Sequence, residues 1–151
     1  MAAYAVLCLD DLRIALPLGC VERAERAMAV NRLPAAPAIV LGVIDVHGRV
    51  VPVIDMRARF RLPPRPIGVY DRIVVAATAR RAVALVADAV EGVVDCDEAA
   101  LVAADRVVPG LEFVRSIARR DDGLILIHDL DGFLSLDEEA ALDRALAETA
   151  S

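Results

Sequence analysis

Residues 41–57 read Leu41-Gly42-Val43-Ile44-Asp45-Val46-His47-Gly48-Arg49-Val50-Val51-Pro52-Val53-Ile54-Asp55-Met56-Arg57. Two β-branched runs flank a His47-Gly48 pair, and this is the pattern of a tight hairpin. Glycine supplies the positive φ that a two-residue loop needs, and histidine tolerates the left-handed region better than most residues. With that pair as the loop, Ile44 faces Val51 and Val46 faces Arg49 on one side. Val43 faces Pro52 and Leu41 faces Ile54 on the other. Both faces are apolar, whereas a ribbon with one wet side alternates cleanly. One face can line a barrel core, and the second needs cover from the rest of the chain or from a partner.

A chain of 151 residues is the size of one domain, long enough to bury roughly 70% of its unfolded surface. Its 58% hydrophobic content excludes disorder, and 3% aromatics without Trp implies a core of Val, Leu, Ile and Ala. The net charge of −6, with arginines scattered rather than clustered, argues against a nucleic-acid surface. No stretch reaches the ~18 charge-free apolar residues of a spanning helix. The N-terminus lacks a basic region and meets Asp10-Asp11 early, so it does not read as a signal peptide. Cys8, Cys20 and Cys96 are odd in number and widely spaced, the pattern of free thiols in a cytoplasmic protein.

The chain nearly repeats itself. Residues 14–22 align without gaps on 83–91, each preceded by an apolar run and a polar turn. Residues 48–56 match 123–130, one residue shorter. This implies two small lobes of similar topology, 4–60 and 71–133, joined by a proline-rich connector at 61–70. Residues 95–108 can hold a helical turn before Pro109-Gly110. Ser135-Leu136-Asp137-Glu138 reads as a capping box opening a helix over 135–148, with Leu136, Ala140, Leu142, Ala145 and Leu146 as its apolar stripe. The fold class is all-β with a C-terminal helix.

Catalytic chemistry finds little footing. On a strand, His128 and Asp129 point to opposite faces, and His47 is far away in sequence, so no metal set assembles. Asp55 and Asp129 each follow an apolar strand, which suits a turn or cap role. Ser116, Ser135 and Ser151 sit in no nucleophile elbow, and no phosphate-cradling glycine loop exists. The expectation is no catalytic residue, no cofactor and no metal, with a small hydrolase using His128 and Asp129 as the remaining enzymatic alternative.

The order of these segments resembles the CheW coupling-protein family of bacterial chemosensory systems. The hairpin is similar to a Gly-Val-Ile-Asn-Leu-Arg-Gly pattern followed by a strand ending Asp-Leu-Arg. Leu16-Pro17-Leu18 with Val21, Ala87-Asp88-Ala89-Val90-Glu91 and Phe113-Val114-Arg115-Ser116-Ile117-Ala118-Arg119 resemble further family segments, over about 4–146 in all. The resemblance implies a pair of SH3-like five-stranded barrels with a groove between them. It also implies a non-catalytic adaptor that binds the regulatory domain of a CheA-type histidine kinase through apolar barrel ends. The cytoplasmic tip of chemoreceptors would sit in the groove, on Val21, Glu22, Arg23, Val43, Ile44, Asp45, Val46, His47, Val86 and Ala89. Five positions depart from the pattern: Asp45 stands for Asn, Val46 for Leu, His47 for Arg, Ser116 for Gly, and Arg23 where an acid is common. A divergent module that binds a kinase or another scaffold but not conventional receptors is the runner-up.

Overall fold

A computed structural model describes residues 2–103 and 114–150. β1 (Ala2–Leu9) and β2 (Leu12–Pro17) form a hairpin, closed at Asp10-Asp11 with Asp10 at φ 51°. β3 (Val21–Arg26), β4 (Val40–Val46) and β5 (Arg49–Ile54) follow, then a single helical turn α1 (Met56–Arg59). The second half runs β6 (Arg72–Ala77), β7 (Ala82–Ala87), β8 (Ala89–Cys96), β9 (Val102–Ala103), β10 (Val114–Arg120), β11 (Gly123–His128) and α2 (Leu136–Ala150). The connector 61–70 carries neither strand nor helix, as Pro63, Pro64 and Pro66 dictate. A 3-10 turn at Glu98–Ala100 occupies part of 95–108. Pro109-Gly110 and Phe113 lie outside the described residues.

The strands form two sheets, ordered β8-β1-β2-β11-β10-β9 and β3-β6-β7-β5-β4. The division into 4–60 and 71–133 does not match them. Each half of the repeat lends its opening hairpin to the sheet of the other half. The exchange is fixed by two parallel pairings, β2 beside β11 and β5 beside β7. Ala15 and Ala84, equivalent in the repeat, lie opposite Ile127 and Val53. The repeat is therefore a real internal symmetry, but its lobes are composite.

Apolar side chains divide into an interior for each sheet and a larger layer between them. Tyr4, Val6, Ala15, Ile125 and Ile127 fill the first lobe. Ile44, Val46, Val51, Val53, Ile73 and Val75 fill the second. Between the lobes pack Leu7, Leu9, Ile14 and Leu16 against Ile54, Met56, Val74, Val83 and Leu85, closed by Phe133, Leu134, Leu142 and Ala145. Both faces of the β4–β5 hairpin are thus used, one in its own lobe and one between lobes, and the chain itself supplies most of the cover. The register pairs Val43 with Pro52, Ile44 with Val51 and Val46 with Arg49, as the pattern predicts. It then shifts, so that Ile54 meets Val40 rather than Leu41. Gly42 causes the shift: Val43 exchanges two backbone hydrogen bonds with Asn31, at 2.7 and 2.8 Å, in the space a side chain on Gly42 would fill.

Ser135 and Glu138 form the expected capping box. Ser135 Oγ accepts from the Glu138 amide at 3.1 Å, and Glu138 Oε1 accepts from the Ser135 amide at 2.8 Å. Of the predicted stripe, Leu142 and Ala145 are buried and Leu146 packs on the layer between the lobes, whereas Leu136 is 75% exposed and Ala140 is exposed. Glu139, a charged residue outside that stripe, is buried with them. From the β6–β7 turn the Arg81 guanidinium accounts for the buried Glu139, pairing with it at 2.8 Å and with Asp143 one turn on. Arg59 likewise holds Glu138 and donates to the Phe133 carbonyl at 2.7 Å. Arg81→Ala leaves Glu139 buried without its partner and is expected to cost about 3 kcal/mol. Converting both residues to apolar side chains (Arg81→Met with Glu139→Leu) should recover most of that loss in urea unfolding. Additive losses in the double variant would show that the pair does not orient α2.

Candidate functional site

At the hairpin tip, His47 and Gly48 have φ of 50° and 85°, the two positive values a I′ turn requires. Asp45 Oδ1 accepts from the Gly48 amide at 2.7 Å and fastens the turn. The tip stands against β3, although β3 and β4 are opposite edges of their sheet. Curling brings those edges together. Arg49 pairs with Glu22 across the seam, and His47 Nε2 lies 4.0 Å from Glu25, which pairs with Arg23 at 3.1 Å. These pairs are solvated, so each contributes at most about 1 kcal/mol and is readily exchanged for a partner's charge.

The residues the resemblance singles out separate into three groups. Glu22, Arg23, Asp45 and His47 are exposed and converge around this seam. Ile44 and Val46, at 1% and 6% exposure, face the lobe interior and are unavailable to a partner. Alternation along β4 forces this, because neighbours of outward-facing Asp45 point inward. Val21 and Val43 are half-buried against the layer between the lobes, and Val86 against its own lobe interior. Ala89 is exposed at the start of β8, paired with Cys8 in the other sheet.

The Asp55-Met56-Arg57 and Asp88 signatures are fastenings of the fold. Asp55 Oδ1 caps α1 by accepting from the Ala58 amide at 3.1 Å, and Met56 is buried. Asp129, its repeat partner, makes no such cap and accepts from Gly132 only through its backbone carbonyl. Arg57 forks onto Asp10 at 2.7 and 3.1 Å, donates to the Pro63 carbonyl at 2.7 Å and lies 3.7 Å from Asp88. Its hydrogen bond holds the Asp10 carboxyl below the usual value. Asp88 accepts from the Asp10 amide at 2.7 Å and from Arg65, which also pairs with buried Asp71 at 3.0 Å. Sequence reasoning missed this network because each member stands at a strand end or in the connector, where a charge is ordinary.

His128 is 2% exposed, stacked on Phe133 at 3.8 Å and edge-on to Phe60 at 5.2 Å. Neither ring nitrogen has a hydrogen-bond partner of normal geometry. Burial lowers its pKa to about 4, with the Asp129 backbone acting in the opposite direction and Arg59 adding to the lowering. A ring sealed from solvent cannot exchange a proton with a substrate, so the hydrolase reading of His128 and Asp129 fails. Cys8, Cys20 and Cys96 are free, and burial raises the Cys8 pKa, which keeps that thiol protonated. No helix among the described residues is long and apolar enough to cross a membrane.

Residues 3–138 match the family model of the CheW-like domain. The chain belongs to the CheW-like family. A probable chemotaxis protein CheW of Rhizobium etli is 30% identical over 153 residues, covering 92% of this chain and 99% of the relative. Chemotaxis protein CheW of Rhizobium meliloti is 31% identical over 140 residues, covering 85% and 90%. Among solved structures, scaffolding protein TtCheW of Thermoanaerobacter tengcongensis superposes with a TM-score of 0.82 at 25% identity, covering 91% of this chain and 94% of that one. The all-β fold with two lobes and a terminal helix is thus a CheW-like fold, and its family context is chemotaxis scaffolding.

Proposed function

We propose that this chain is a non-catalytic cytoplasmic adaptor that joins a CheA-type histidine kinase to the cytoplasmic tip of chemoreceptors. The observation that carries the reading is the exposed, exchangeable charge seam of Glu22, Arg23, Asp45 and His47, presented by a CheW-like fold. Exposed apolar residues on both lobes, Val50 at 60%, Val93 at 57% and Leu124 at 54%, support docking of the kinase's regulatory domain on apolar surface.

The seam also carries the departures from the family pattern. His47 replaces a permanent cation, Asp45 adds an anion, and Arg23 places a cation where an acid is common. Like charges juxtaposed across an interface cost several kcal/mol, enough to weaken a mismatched partner about a hundredfold. Conventional receptor tips should therefore bind the native chain weakly, and Asp45→Asn with His47→Arg should restore most of the affinity. The asparagine oxygen keeps the hydrogen bond from Gly48, so the turn survives the change. A titration of both proteins against a conventional tip and the cognate one reads the effect. Equal, tight binding of the native chain to both tips would remove these residues from specificity. Binding to neither tip, with the kinase still bound, would favour a scaffold that no longer reads receptors.

A further inference from the structure

Between residues 26–41 and the connector residues 64–70 lies a largely apolar groove that the docking roles above do not use. One end, of about 530 Å³, has Met28, Val30, Ile67 and Val69 along its walls. A second section of about 750 Å³, beside Leu33 and Leu41, shares Val30 and Ile67 with the first. Val69 on the groove's wall and the adjoining Tyr70 are the two most exposed large apolar residues among those described, at 81% and 86%. In a chain with few aromatics, a tyrosine held almost wholly in water is the residue type that anchors protein interfaces.

The charges beside the groove are unusual. Arg26 and Arg72 are directly opposed across β3 and β6, an arrangement in which like charges repel. Arg72 donates only to the backbone carbonyls of Tyr70 and Asp71, at 3.3 and 3.4 Å. Arg26, Arg32 and Arg72 have no acidic partner among the described residues. The nearby Asp71 carboxylate is already occupied by Arg65 and by the Gly68 amide. In a chain of net charge −6, the groove's lining thus carries Arg26 and Arg32 without acidic partners, against Asp55 as its one carboxylate, with Arg72 beside Arg26.

We propose that this groove receives an acidic, apolar-rich segment of a partner protein. Its leucine-type side chains would fill the channel, and a carboxylate would sit between Arg26 and Arg72. The groove contains none of the residues assigned to receptor contact, so the proposal stands or falls separately from the coupling function. The chain's net negative charge disfavours an anionic membrane surface or a nucleic acid as the occupant.

The test is fluorescence anisotropy of the full chain with two short labelled peptides, one alternating leucine and glutamate and one alternating leucine and lysine. Vesicles containing phosphatidylserine form a third arm. The native chain should bind the glutamate peptide, with affinity falling as salt rises, and should bind neither the lysine peptide nor the vesicles. Arg26→Glu with Arg72→Glu should weaken the glutamate peptide ~10-fold or more and create binding of the lysine peptide. An unfolded variant could not show that gain. Tyr70→Ala should also weaken the glutamate peptide. Failure to bind the glutamate peptide, equal binding of both peptides, insensitivity to the charge reversal, or preference for vesicles would each overturn the proposal.

Discussion

Gly42→Ala is expected to destabilise the protein by about 4 kcal/mol, a large share of a typical domain's total. A Cβ on Gly42 would collide with the Asn31 carbonyl oxygen and stand 2.7 Å from Val30 Cγ1, at a φ of 156° that disfavours any side chain. Relief requires moving residues 30 and 31 away from Val43, which breaks their two short backbone hydrogen bonds. Strain of 1–3 kcal/mol plus roughly 1 kcal/mol for each lost bond gives the magnitude. Gly19→Ala is the internal control, because nothing lies within 4 Å of its added methyl. Urea unfolding should separate the two variants by several kcal/mol. Equal, small effects would show that the close approach of Asn31 to β4 is not what requires glycine.

A second large effect is acid sensitivity centred on His128. Its folded pKa of about 4 lies below the ordinary 6.5, so the unfolded chain takes up a proton first as pH falls. Stability from the neutral ring is complete above pH 6.5 and is lost progressively down to about pH 4, by roughly 3 kcal/mol. The groups around the ring compensate only in part: the Asp129 backbone favours the charged form, but Phe60 and Phe133 are uncharged and the nearby Arg59 guanidinium opposes protonation. Protonation should loosen the stack on Phe133, which leads into α2. His128→Leu removes this component, leaving only the carboxylates to shape its acid profile. Chemical denaturation of both proteins at pH 7.5, 5.5 and 4.5 should show the native chain losing stability faster than the variant. Parallel profiles would mean that His128 does not remain neutral and buried.

The parts of the fold legible in sequence were those governed by neighbours. Alternation and the His47-Gly48 pair were enough to pair Val43 with Pro52 and Val46 with Arg49. The same rule failed at Leu41, because the shift at Gly42 depends on Asn31, a residue well outside the hairpin. The repeat was visible, but lobe composition rests on parallel pairings such as Ile127 with Ala15, which leave no local trace. The same holds for Glu139 of α2, whose burial follows from Arg81, on the distant β6–β7 turn.

At the candidate site, the resemblance marked a contiguous stretch of β4 where pleating admits only alternate residues. Asp45 and His47 face outward, and Ile44 and Val46 belong to the core. The groove beside Arg26 and Arg72 left no trace in sequence, since its walls come from two irregular segments and its charges meet only through β3–β6 pairing. A Val69-Tyr70 pair after a proline-rich stretch gives no sign of exposure until the backbone is placed.

The coupling role is tested most directly by bridging. Beads carrying the cognate receptor tip are incubated with the kinase's regulatory domain, with and without this chain, and the retained kinase is measured. The account predicts that kinase is retained only when the chain is present, one chain accompanying each kinase domain. A charge reversal at Glu22 and Arg23 should release the chain and the kinase together. Retention of the kinase without the chain, or of the chain without the kinase, would contradict it.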